Sequence, residues 1–256
     1  MRYSSGEMFW RDVRAAKQQV GADILYEAYD SASSNKRVLT EWLDDRPDDL
    51  RDSVFKMYVQ AFESDQEVVD LLSELNVFCV NMGLDSGDDF VLKLLKGDRH
   101  SYSSNVDACK KYTDKGIEIY TSFVLTGLGS DVETQKSLDK TLEFADWLAR
   151  STSTVSFDSA LLYPDKTATI GGLIWKPNEA DKIAKELGWT FIDIDKLKKV
   201  SAKWIDEIYL DPVEISADFA DVCGTSYELL SSYSEELSEI SGRHNMNFGQ
   251  SQSGTS

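Results

Sequence analysis

Chemistry in this chain would have to come from a few short runs that follow hydrophobic segments. Thr126-Gly127-Leu128-Gly129-Ser130 is a glycine turn behind an apolar, β-branched stretch. Its glycines allow positive φ and let a ligand approach the backbone closely. Asp85-Ser86-Gly87-Asp88-Asp89 follows a second apolar stretch. It reads either as a helix cap with an acidic first turn or as a carboxylate and hydroxyl offered to a ligand, and one residue can do both. Cys79, Cys109 and Cys223 are odd in number and far apart. They imply no disulfide framework, supply no loop of thiolates for an iron–sulfur cluster, and read as ordinary small buried residues. His100 and His244 have no metal-ligand spacing, so no metal site is expected, and His100 reads as a solvent-facing loop residue. A Ser-His-Asp arrangement and a GxxxxGK[ST] loop are both missing, which leaves hydrolase and P-loop chemistry without support.

The elements that position these runs alternate between strand and helix patterns. A helix is expected over Glu7–Val20, stopped by Gly21, then a short strand over Ala22–Ala28. Ser34 or Asn35 caps a helix through Leu43, and Val54–Gln60 is the next strand. Ser64 caps a helix over Asp65–Leu75, Val77–Leu84 is a strand, and a helix carrying Phe90, Val91 and Leu94 follows Asp85–Asp89. Ser103 or Ser104 opens a helix through Lys115. Ile117–Leu125 reads as a buried strand, delivering the chain to the glycine turn. Asp131 and Glu133 are expected in the first turn of a helix whose Leu138, Leu142, Ala145 and Leu148 form one apolar face. Thr154–Leu162 is a further strand. The alternation predicts an α/β fold with a parallel sheet and a ligand-sized gap at the strands' C-terminal ends.

Beyond Ile170 the pattern changes. Helices are expected over Pro177–Leu187, Asp195–Tyr209 and Ser226–Ile240, a short strand over Gly188–Asp193, and a disordered polar tail over residues 241–256. At 256 residues and 41% hydrophobic, the chain can bury one substantial core. Few prolines and no apolar run of membrane-spanning length predict a soluble protein, and Glu7, Arg11, Asp12 and Arg14 interrupt any signal-like start. The net charge of -18 speaks against nucleic-acid or anionic-membrane binding, which need a basic face. The cysteine usage points to the cytoplasm.

The wording of four stretches goes further. FVLTGLGSDVETQKSLDKTLEFADWL (residues 123–148) resembles the radical S-adenosylmethionine (SAM) stretch written as a hydrophobic strand, GLPGET and a helix ending in TLEFA, though the proline is missing. NMGLDSGDDFVLKLLKGDRHS resembles that family's fourth-strand stretch, ILYEAYDSASSN its second-strand end, and SFDSALLYPDKTATI its sixth-strand stretch. The order is consistent over roughly residues 1 to 170. The resemblance implies an incomplete (β/α) barrel, TIM-barrel-like, over residues 1–170, with a mainly helical C-terminal extension over residues 171–240. It also implies two cofactors, SAM and a [4Fe–4S] cluster, whose family CxxxCxxC ligands are absent from this chain. MRYSSGEMFWRDV resembles the family's segment just after that cysteine loop.

By the same resemblance, Asp30 would meet the SAM amino group, and Asp85 and Ser86 the ribose hydroxyls. Arg99, or Lys96, would meet the SAM carboxylate, and Gly127 and Gly129 would border the adenine. Catalytic residues and substrate stay unassigned. The expected function is a fragment or split subunit supplying the SAM-binding wall of a radical SAM oxidoreductase, inactive alone, with a cluster-bearing chain as partner. The alternative is a catalytically inactive interaction or regulatory domain that keeps the barrel.

Overall fold

Ser5 starts the first helix by accepting a hydrogen bond from the Met8 amide, and Gly21 ends it in the left-handed conformation at φ 63°. This helix, α1 (Gly6–Val20), buries Phe9, Trp10 and Val13. Phe9 stacks on Trp42 with ring centroids 3.9 Å apart, and the Trp10 indole N–H donates to the Trp42 carbonyl at 2.6 Å. Burial of each large aromatic contributes on the order of 2 kcal/mol, and the indole bond leaves no buried donor unmatched. The computed structural model describes residues 4–22, 24–27, 31–125, 135–161, 182, 193–206, 212–222, 224 and 226–250.

The described elements continue as β1 (Ile24–Glu27), α2 (Lys36–Asp44), β2 (Val54–Val59), α3 (Gln66–Glu74), β3 (Val77–Asp85) and α4 (Asp89–Lys96). Then come α5 (Tyr102–Asp114), β4 (Glu118–Leu125), α6 (Gln135–Ser151) and β5 (Thr154–Leu161). The C-terminal part contributes α7 (Ile194–Asp206), α8 (Pro212–Val222), α9 (Tyr227–Arg243) and β6 (Asn247–Gln250). Two caps differ from the expected ones. Asp65, not Ser64, accepts from the Val68 amide to start α3. Ser101, not Ser103 or Ser104, starts α5, in a capping box that uses Ser104 as the reciprocal partner. Asn35 caps α2 as its type predicts.

The six strands lie side by side in chain order, β1 through β6. β1 pairs parallel to β2 with Ile24 opposite Val54, and β2 pairs parallel to β3 with Val59 opposite Met82. From β1 to β5, parallel neighbours in chain order with helices between them give the winding of an incomplete (β/α) barrel. The strand expected to be buried on both faces alternates instead. Ile119, Thr121, Phe123 and Leu125 are buried, while the residues between them are partly exposed. In β2, Phe55, Met57 and Val59 form the buried face.

The chain divides into two compact units. One comprises Met1–Leu84, Lys96–Thr121 and Trp147–Ser156, and the other Asp85–Leu95, Ser122–Asp146 and Phe157–Ser256. The first holds the aromatic cluster of α1, α2 and β2. In the second, Phe123 meets Phe144 and Phe157 edge-on, at 6.1 and 5.6 Å between centroids. Phe144 takes the core place that the periodicity gave to Leu142, while Leu138 and Ala145 are buried as expected. α9 joins this core through the buried Ser234, whose hydroxyl meets that of Ser159, and through Tyr233, which donates to Asp139 at 2.8 Å.

Residues 241–250, expected in a disordered tail, are instead ordered into the end of α9 and β6. Asn245 takes φ 54°, the Met246 amide donates to the Ser241 carbonyl at 2.9 Å, and the Ser241 hydroxyl donates to the Asn247 carbonyl. These local bonds turn a polar segment into a strand lead-in. No helix of the described residues is long and apolar enough to cross a membrane. The helix expected over Pro177–Leu187 and the strand over Gly188–Asp193 fall almost wholly outside the described residues.

Candidate functional site

The Asp-Ser-Gly run sits where β3 hands over to α4, in the second unit. Asp85 is 6% exposed and takes φ 60°, a left-handed conformation uncommon for a residue with a Cβ. Such a residue persists only where its surroundings hold it, and ligand sites are where such strain collects. Ser86 is 1% exposed. Its hydroxyl lies 3.1 Å from the Thr141 hydroxyl and accepts from the Asp88 amide at 3.1 Å. The Gly87 amide donates to the same Thr141 hydroxyl at 3.0 Å. Gly87 is there for α6: a Cβ would stand 2.3 Å from the Lys140 carbonyl oxygen.

The cap of α4 is Asp88, which accepts from the Phe90 and Val91 amides at 2.9 and 3.3 Å. Burial raises the Asp88 pKa, but the hydrogen bonds from Lys140 and the two amides outweigh it and hold the carboxyl below its usual range. The Lys140 ammonium is correspondingly raised by its bond to Asp88. The run therefore separates its tasks. Asp88 caps, Ser86 and Gly87 fasten the turn to α6, and Asp85 is the member held in an unusual conformation.

Arg99 belongs to the first unit. Its guanidinium carbon lies 4.7 Å from the centroid of the Phe62 ring, its side chain is exposed, and it has no hydrogen-bond partner among the described residues. A guanidinium stacked on a ring keeps its fork of donors available for a planar anion. The Lys96 ammonium donates to the Gly83 carbonyl at 2.8 Å. His100 is not the solvent-facing loop residue it resembled. Its ring is half-buried and edge-on to Phe62 at 4.6 Å, and its pKa falls to about 4, from burial first and then the Lys96 and Arg99 charges. Asp30, Gly127 and Gly129, with Asp131 and Glu133, lie outside the described residues.

Phe62 also leads to a group that sequence reasoning missed. Glu63 ends a short 3-10 turn, Ala61–Glu63, just after β2. Its Oε2 accepts from the hydroxyls of Ser31 at 3.0 Å and Ser33 at 3.2 Å, which follow β1. Both serines are buried. Nothing local in the sequence ties Glu63 to serines thirty residues away. The only available signal was the position of both segments after parallel strands.

Among the described residues, no group of three His, Cys, Asp or Glu could hold a metal ion. Cys79 and Cys109 are free and buried, and burial lifts their thiols to about 11 and about 12. A cluster ligand must be a thiolate, so these two residues do not fit a [4Fe–4S] cluster.

Comparison with known proteins adds a family and a fold. Residues 20–145 match the model of the Radical SAM superfamily. Among solved structures, the chain is similar to the radical S-adenosylmethionine methyltransferase TsrM from Kitasatospora setae with cobalamin and [4Fe-4S] cluster bound. There the identity is 17%, the TM-score 0.55, and the match covers 68% of this chain and 34% of that one. A second structure of that enzyme, with tryptophan substrate and the SAM analogue aza-SAM bound, matches at 15% identity and a TM-score of 0.53, covering 68% of this chain and 33% of that one. This chain thus spans about a third of the length of those structures. No curated protein matches it.

Proposed function

We propose that this chain, whose residues 20–145 match the Radical SAM superfamily model, supplies the barrel wall that holds the nucleoside of SAM. The observation that carries this reading is Asp85, buried and left-handed at the C-terminal end of a parallel strand. Ligands of α/β sheets bind outside those ends, and a carboxylate there accepts directional bonds from a ribose diol. Ser86 would position the turn through Thr141. The tryptophan and cobalamin of TsrM are not carried over to this chain.

Cys79 and Cys109 do not fit a [4Fe–4S] cluster, so the reading assigns this chain no step through one. A cluster would be held by a segment outside this chain, which acts in this reading as a split or partial enzyme in the cytoplasm. Its free, buried thiols suit that reducing compartment. A catalytically inactive regulatory or interaction domain is the second reading. It is favoured by the engagement of the Ser86 hydroxyl and the Lys96 ammonium within the protein.

Calorimetric titration of the full chain with SAM separates the two. The enzyme-wall reading expects saturable heat with a Kd of high micromolar to millimolar order, because only a few hydrogen bonds of about 1.5–3 kcal/mol remain without a cluster. It also expects Asp85→Gly to weaken that binding. No heat from the folded wild-type chain would leave the inactive-domain reading.

A further inference from the structure

We propose that the turn after β2 forms a binding site for an alkylammonium group, with Glu63 as the receiving carboxylate. The inference extends the SAM-wall reading without depending on it. Two buried hydroxyls, Ser31 at 0% and Ser33 at 3% exposure, lie 2.8 Å apart, and both bond Glu63 Oε2. Ser33 is fixed in turn by the Gln60 amide, which donates to it at 2.9 Å. The carboxylate is therefore held by one oxygen, while Glu63 Oε1 has no hydrogen-bond partner among the described residues.

The turn itself is fastened. The Ser64 hydroxyl donates to the Gln60 carbonyl at 2.9 Å and meets the fully buried Tyr112 hydroxyl at 2.9 Å. Arg99 and His100 pack on Phe62. A carboxylate held by donors behind it, on a fixed turn, loses little freedom on binding.

Two cations of the neighbouring segments are committed elsewhere, Lys36 to Asp65 and Glu67 and Lys111 to Asp107, while the Arg99 guanidinium lies over the Phe62 ring with no bond to Glu63 among the described residues. Both segments of the site follow the C-terminal ends of parallel neighbours, the place where such sheets bind ligands. A half-buried carboxylate with one open oxygen is best matched by a charge-assisted N–H donor. The ammonium has two possible sources, the amino-acid end of SAM or a basic substrate.

The test uses the full chain, followed by amide shifts, with methionine, n-butylammonium and 5′-deoxyadenosine as probes. Methionine stands for the SAM terminus, n-butylammonium for a basic substrate, and 5′-deoxyadenosine for a ligand lacking the ammonium. The expected result is saturable shifts at Ser31, Ser33 and Glu63 with at least one ammonium probe. Glu63→Gln keeps the acceptor for the two serines and should weaken that binding roughly tenfold or more, as loss of one charge-assisted bond implies. Its response to 5′-deoxyadenosine should not change, and the exposed Glu74→Gln should bind like wild type. Ser31→Ala, which loosens the carboxylate while keeping its charge, should weaken the binding less. Preference for methionine points to the SAM terminus, and preference for n-butylammonium to a basic substrate. Ammonium binding with a flat 5′-deoxyadenosine titration would sink the nucleoside reading and keep this site. No shift at these amides with either ammonium probe, or equal affinity in Glu63→Gln, would overturn the site.

Discussion

Asp85 separates stability from function at a single position. Its left-handed backbone costs a side-chain-bearing residue about 1–2 kcal/mol, a cost glycine does not carry. Asp85→Gly removes that backbone cost together with the carboxylate's own interactions, so the urea midpoint should change by less than the loss of ligand affinity; a large drop in midpoint would mean the carboxylate serves the fold. His100 gives the pH dependence. Its folded pKa is about 4 against an unperturbed 6.5, so the unfolded chain takes up the proton first as pH falls. The contribution is present above about pH 6.5 and is lost on acidification toward pH 4. His100→Phe, which preserves the ring against Phe62, should lose less stability than wild type between pH 7 and pH 5. Equal losses in thermal melts at the two pH values would remove His100 from the explanation.

At the scale of the element, the turn from β3 to α4 depends on α6. Thr141→Val leaves the buried Ser86 hydroxyl and the Gly87 amide without their partner, at a cost of about 1–3 kcal/mol. Ser86→Ala combined with Thr141→Val should cost less than the sum of the two single changes in denaturant melts. Additivity would show the pair to be uncoupled. Local rules made much of this scale legible in advance: Gly21 ends α1, Asn35 caps α2, and the apolar runs at Val54 and Val77 are strands. The errors arose where several candidates stood side by side. Asp65 took the cap from Ser64 because the Ser64 hydroxyl is drawn to Gln60 and Tyr112, forty-eight residues away. The Asp85 run was visible as a place but not as a division of labour, since Asp88 as cap and Ser86 as fastener depend on Lys140 and Thr141 of α6. Glu63 was invisible for the same reason, and β6 because Asn247–Gln250 carries no apolar alternation.

For the whole molecule, winding order and the match to the Radical SAM superfamily over residues 20–145 were readable because four motifs came in sequence. The division into two interleaved units was not, since it follows contacts rather than chain position. Anaerobic reconstitution of the full chain with iron and sulfide should give less than one [4Fe–4S] cluster per monomer, because the Cys79 and Cys109 thiols are sealed and far from the thiolate form. A stoichiometric absorption and EPR signal would contradict that. The central claim, that these strand ends hold the SAM nucleoside, is tested most directly by amide-shift mapping of the full chain with 5′-deoxyadenosine. The account predicts saturable shifts gathered at Asp85 and Ser86 and at Gly127 to Gly129. A flat titration of the folded protein into the millimolar range, or shifts confined to other segments, would contradict it.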